Sequence, residues 1–139
     1  MGAAQASLAD IIITPTVQVD MTVAAGTNIS KGALLMITDP NTATEQSGSG
    51  ARFAGIAAAD KTTANGDAST TLGVWRDGEW DIWSDEGATI TAGDLVSTSG
   101  AHALKTATEA EVVTGGVVGK AMESAGGSTI EKIRVRLMA

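Results

Sequence analysis

The sequence predicts an all-β fold, a small barrel or sandwich of short strands. Three observations predict it. Apolar and polar residues alternate along several stretches, turn-forming dipeptides punctuate those stretches, and one glycine-and-apolar pattern occurs twice. Many short alternating strands between turns are what a barrel or sandwich needs.

Residues 1–16 read as an extended N-terminal arm. The stretch "LADIIITPT" sets Ile11, Ile12 and Ile13 in succession and stops at Pro15. Three isoleucines in a free tail would leave an apolar segment in water. The arm is therefore expected to add a strand to an edge on an adjacent subunit or a larger shell. Leu8, Ile11, Ile12, Ile13, Thr14 and Pro15 are its candidate contact residues. The alternative is an ordinary first strand of the same barrel. Removing residues 2–14 should leave a folded core if the arm reading holds.

Residues 17–139 form the expected single domain. In "TVQVDMTV", Val17, Val19, Met21 and Val23 share one face, and Gln18, Asp20 and Thr22 the other. In "IRVRL", Ile133, Val135 and Leu137 alternate with Arg134 and Arg136. Both are half-buried strand patterns. "ALLMIT" is a continuous apolar run, expected as a strand buried on both faces or a bent one. Only "TATEAEVV" (Thr106 to Val113) suits a helical turn or two. Turns are expected at Asp39-Pro40-Asn41, Asn65-Gly66-Asp67, Asp77-Gly78 and Gly126-Gly127.

The repeat pairs "AGTNISKGALLMITD" with "EGATITAGDLVSTSG". Gly26, Ile29, Gly32, Leu34 and Leu35 match Gly87, Ile90, Gly93, Leu95 and Val96. Further on, Gly55 in "FAGIAAAD" matches Gly119 in "VVGKAMES". Two related halves imply a barrel with weak internal duplication.

All three tryptophans lie in "VWRDGEWDIW", in a chain with one Phe and no Tyr. Asp77-Gly78 is a strong signal for a two-residue hairpin. Such a hairpin would set Trp75 against Trp80 on one face, with Ile82, and Trp83 with Leu72 on the other. Trp75, Trp80 and Trp83 are accordingly candidates for a subunit or partner interface, or for a carbohydrate-stacking platform. Lys132, Arg134 and Arg136 line one face of the last strand. They suit either a charge-protected solvent edge or an ion-pair seam with an acidic patch of a neighbour.

Composition narrows function by class. A net charge of -7 opposes binding to nucleic acid, whose affinity comes largely from Lys and Arg. With no Cys there is no disulfide framework or thiolate site. No apolar run reaches the ~18 residues of a membrane span. The N-terminus has no Lys or Arg before Lys31, so no basic start of a signal peptide is visible. His102 is the only histidine and has no triad or metal companions. "TGGVVGKAM" fails the phosphate-loop pattern at Thr114 and Ala121, and "SGSGARFAG" lacks the third fingerprint glycine at Phe53. Asp81, Asp85 and Glu86 read as a solvated acidic loop. No catalytic residue, cofactor or metal is expected.

The ordered series "AAGTNISKGALL", "ARFAGIAAAD", "TLGVWRDGEWDI", "ATITAGDLVSTSGAHAL" and "VVGKAMESAGGSTIEKIRVRL" resembles the small tailed-phage head decoration proteins. The resemblance covers roughly residues 15 to 139. It implies a β-barrel-like or β-tulip fold without enzymatic activity. It also implies a homotrimer on the outer capsid surface, bound to the major capsid protein and bracing the mature head. Such a protein would be made in the host cytoplasm, with no membrane or nucleic-acid partner. The alternatives are a carbohydrate- or surface-binding module using the tryptophans, and another virion part.

Overall fold

A computed structural model describes residues 8–24, 27–46, 50–61, 70–99 and 103–138. The fold is all-β, as expected. The strands in chain order are β1 (Asp10–Ile13), β2 (Gln18–Thr22), β3 (Leu34–Asp39), β4 (Thr42–Glu45), β5 (Phe53–Ala57) and β6 (Thr71–Trp75). There follow β7 (Glu79–Trp83), β8 (Leu95–Thr98), β9 (Leu104–Thr106), β10 (Val117–Ala121) and β11 (Lys132–Leu137). One short helix, α1 (Glu109–Thr114), precedes β10.

Strands β2-β4-β3-β5-β6 close into a barrel, and β1-β7-β11-β10-β8-β9 form a six-stranded sheet. The two share one plan. In the barrel, β2 pairs β6, β6 pairs β5, β5 pairs β3 and β3 pairs β4, all antiparallel. A parallel contact between Thr22 and Thr42 then closes the ring. In the sheet, β7 pairs β11, β11 pairs β10, β10 pairs β8 and β8 pairs β9, again antiparallel. A parallel bridge from Leu104 to Ser84, the residue after β7, brings its end back to its start.

The match extends to single hydrogen bonds. Ile29 bridges Lys61 as Ile90 bridges Ala125. Gly32 N–H donates to Ala57 O as Gly93 N–H donates to Ala121 O, and Gln46 N–H to Leu34 O as Ala107 N–H to Leu95 O. Gly32 and Gly93 both hold positive φ, 90° and 98°. The duplication read from Gly-x-x-Ile-x-x-Gly is thus the plan of β2 to β11, two halves of five strands each, with β1 added at the edge of the second.

Gly55 and Gly119 are matched because backbone comes too close for a side chain. A Cβ on Gly55 would collide with the Trp75 carbonyl oxygen, and one on Gly119 with that of Arg136. Trp75 and Arg136 hold the same place in their halves.

Two apolar clusters fill the fold. One lies within the barrel, around Met21, Leu35, Ala54, Leu72 and Val74. The other fills the second half with Trp80, Ile82, Ile90, Val118, Ile133 and Val135, and takes in Leu34, Phe53 and Ile56 from the first. That shared cluster joins the halves. The "ALLMIT" run is the bent alternative: Leu34 and Leu35 are buried, while Ile37 is exposed beyond a bulge. The helix expected near Glu109 is present. Thr108 caps it, with Glu111 completing a reciprocal capping box. The Asn65-Gly66-Asp67 turn lies outside the described residues.

The hairpin expected at Asp77-Gly78 does not form. β6 pairs with β2 and β5 in the barrel, whereas β7 pairs with β1 and β11 in the sheet. Asp77-Gly78 is the corner where the chain leaves one half for the other. The physical reason is competition from the N-terminal segment. The Asp77 carboxylate accepts from the N–H groups of Thr16 (2.9 Å) and Val17 (2.8 Å) and from the Thr16 hydroxyl (2.6 Å). These bonds hold the Asp77 carboxyl below its usual range, the Thr16 hydroxyl foremost. Gly78 has φ +92°, and a Cβ there would stand 2.8 Å from Ile13 O. Residues 10–22 thus run antiparallel along 71–81, and the two-strand ribbon bends once at this corner.

Candidate functional site

The N-terminal stretch does add a strand, and it adds it to its own chain. β1 pairs with β7 through Asp10–Asp81, Ile11–Trp80 and Ile13–Glu79, with a bulge between Ile11 and Ile13. Ala9, just before it, is buried in the shared core and donates its N–H to Gly32 O. This is the first-strand alternative, placed in the sheet rather than in the barrel. β1 nevertheless remains an edge. Ile11, Ile12 and Ile13 are 44%, 37% and 51% exposed. Leu8 packs against the barrel core. Thr14 is exposed and Pro15 is buried beside Gly78.

An exposed apolar edge is what soluble proteins usually avoid. They blunt edges with Lys, Pro or a covering loop. β1 carries only Asp10 at its start, and Pro15 stands beyond its end. Its outer N–H and C=O groups and its isoleucines are presented together.

Two of the tryptophans, Trp75 and Trp80, fill the seam between the halves. Trp80 is 2% exposed in the shared core, and its indole N–H donates to Asp77 O at 2.9 Å. Trp75 packs against that core from the barrel side. Both line a cavity of about 250 Å3 with Leu8, Ile11, Lys31 and Gly32. Trp83 is half-buried, with the Lys132 ammonium 5.5 Å from its ring centre. The three rings form no single platform, because Trp80 offers almost no surface to a sugar. Trp75 and Trp80 cluster in sequence because they flank the corner where the two cores meet, whereas Trp83 stands at the far end of β7 opposite Lys132.

The basic face of β11 is not an edge, since β11 lies between β7 and β10. Its partners are on the same chain. Lys132 pairs with Asp10, and Arg134 Nε lies 3.9 Å from Glu79. Arg136, opposite Glu79 and Lys120, borders a shallow cavity over Asp77 and Gly78. The charge-protected edge is therefore not what β11 provides, and two of its three cations have carboxylates of the same chain beside them, on β1 and β7. Sequence reading missed Asp10 and Glu79, whose role depends on strand order.

A second polar network holds α1. Glu111 accepts from Lys105 Nζ (2.7 Å), Ser97 Oγ (2.9 Å) and Thr108 N–H (2.8 Å). Burial pushes its carboxyl up, but these bonds outweigh it and hold the pKa at about 2. Beside α1, Ile37, Phe53, Leu95, Val112 and Met138 line an open apolar groove of about 460 Å3. Lys61 is 1% exposed, and its ammonium donates to Thr27 O at 2.9 Å. Its counterpart in the other half is Ala125, so the lysine anchors a loop rather than a repeated feature.

Among the described residues, no three His, Asp or Glu side chains converge as a metal site. Asp85 accepts from Ser99 Oγ at 2.5 Å, and Asp81 stands across from Arg134. His102 lies outside the described residues. Among those residues no helix is long and apolar enough to cross a membrane. No protein-family model matches the chain, and no curated protein matches it.

Proposed function

We propose that this protein is a structural, non-catalytic part of a tailed-phage virion. It binds the outer surface of the capsid as a homotrimer, with the major capsid protein as its partner, and stabilises the mature head. The observation that carries the reading is β1: an apolar strand, exposed at a sheet edge and held by its own fold in an extended shape. An extended edge offers main-chain hydrogen bonds for affinity and alternate side-chain pockets for specificity. Holding the strand extended beforehand reduces the ordering cost of binding. The resemblance of the glycine-and-apolar series to head decoration proteins supplies the class of partner. The acidic charge suits a surface turned away from packaged DNA. Many copies on one shell would add avidity to a modest single contact.

The test is co-sedimentation with expanded, undecorated heads. Wild-type protein is compared with I11D/I13D, whose fold is checked by tryptophan fluorescence, since Trp80 reports the shared core. Point changes replace the deletion of residues 2–14, because that deletion would also uncover Trp80. Saturable pelleting of the wild type, lost in the folded variant, is expected. A folded wild type that does not pellet overturns the reading.

A further inference from the structure

We infer that the outer edge of β2, from Gln18 to Met21, is a second strand-docking site. Its occupant is an extended segment of a partner protein that carries Lys or Arg directly before a β-branched apolar residue. The inference comes from the duplication and does not depend on the decoration reading.

β2 and β7 hold the same place in their halves. Val19 matches Trp80 and Met21 matches Ile82, all pointing inward, while Gln18, Asp20 and Thr22 match Glu79, Asp81 and Trp83. On β7, the edge facing away from β11 is covered by β1. On β2, the corresponding edge faces away from β6. There β4 meets β2 only at Thr22, through the Thr22–Thr42 pair and the bond from Thr22 N–H to Asn41 O. Among the described residues no strand pairs with Gln18–Met21 on that side. Gln18 and Asp20 are exposed, Val19 is half-buried, and Val17 is 48% exposed. Open N–H and C=O groups on an edge of this kind template another strand.

Charge selects the guest. On β7, Asp81 faces Asp10 of β1, and cations balance the two: Arg134 stands across from Asp81, and Lys132 pairs with Asp10. On β2, Asp20 faces Gly73 across β6. A guest with a carboxylate opposite Asp20 would therefore face an unbalanced like charge, which is destabilising in a cross-strand pair. A guest with Lys or Arg there is favoured. In an antiparallel guest the next residue falls opposite Val19, in the place where Ile11 stands opposite Trp80 and lines the cavity beside it. The chain's own N-terminal segment, with Asp10 at the critical position, is the disfavoured guest.

The test titrates the isotope-labelled full chain with two synthetic peptides, LADIIIT and LAKIIIT. The first is the sequence of residues 8–14, and the second replaces its Asp with Lys. Amide exchange and chemical shifts are read along the chain. The expected result is protection at Gln18 and Asp20, with a preference of about fivefold for LAKIIIT, the size of one cross-strand charge pair. D20K should reverse the preference, and D20N should abolish it. Protection confined to β1 or to the groove beside α1 overturns the inference. So does equal binding of both peptides, which would make a second copy as good a guest, and so does absence of binding.

Discussion

The two halves of this molecule follow one backbone plan and fill it differently. The first, from β2 to β6, closes as a barrel through the Thr22–Thr42 pair, around Met21, Ile29, Leu35, Ala54, Leu72 and Val74. The second, from β7 to β11, returns to its start through one bridge and is filled by Trp80, Ile82 and Ile133, with β1 laid along its side. On the matched edge of the first half, β2 carries the smaller Val19, half-buried against the barrel core. In the second half, β7 carries the buried Trp80 at that position, and β1 pairs along its edge. The two halves share a scaffold, and they differ where Val19 stands in one and Trp80, flanked by the N-terminal strand, in the other. A strand recruited to seal a core leaves its own outer edge unsealed.

The most severe way to break the comparison is at its matched glycines. G55A should cost about 4 kcal/mol, combining a strained positive φ with backbone overpacking. G119A should cost about 2–3 kcal/mol from overpacking alone. Urea unfolding reads both. A neutral change at either position would deny that the two close approaches are equivalent.

Next come the positions where the halves diverge. W80A should cost about 3–5 kcal/mol, the range for a buried large aromatic. V19A should cost about 1 kcal/mol, because Val19 is only half-buried against the barrel core. Equal losses would show that the seam is not where the tryptophan matters.

Among the described residues the helix of the second half has no counterpart in the first, and Glu111 secures it. E111Q should cost about 2 kcal/mol, the usual worth of a charge-assisted hydrogen bond. The sign with pH follows from the depressed folded value. The Glu111 contribution is complete above the ordinary value of 4.5 and fades as pH falls toward about 2. Between those limits the wild type should lose more stability than E111Q, as thermal melts at a series of pH values would record.

The smallest effect is expected from K132A. Its pair with Asp10 is solvent-exposed and screened, so about 0.5 kcal/mol or less is at stake. Salt titration of the melting temperature should move wild type and variant almost alike.

Much of this was legible in the sequence. Period-two alternation placed β2 and β11, and the Gly-x-x-Ile-x-x-Gly pattern placed the duplication, because local spacing determines both. The error at Asp77-Gly78 is instructive for the same reason. The dipeptide has the turn chemistry of a hairpin, but that chemistry equally serves a corner where another segment takes the hydrogen bonds. Thr16 and Val17, far away in the chain, decided between the two. The cationic face of β11 was visible as a pattern, and its partners Asp10 and Glu79 were not. The order β1-β7-β11 is a non-local fact that no window of sequence contains. The isoleucines of β1 were legible as a strand seeking an edge, and tertiary structure chose β7 of the same chain.

The most direct test is residue-resolved amide hydrogen exchange of the free protein and of the protein bound to expanded heads. In the free protein, the Ile11, Ile12 and Ile13 amides should exchange faster than those of β7 and β11, since β1 is paired on one side only. On the heads they should become protected, while the β10 and β11 amides stay unchanged. Binding with no new protection in residues 11–13 would contradict the claim that the exposed edge of β1 is the anchor.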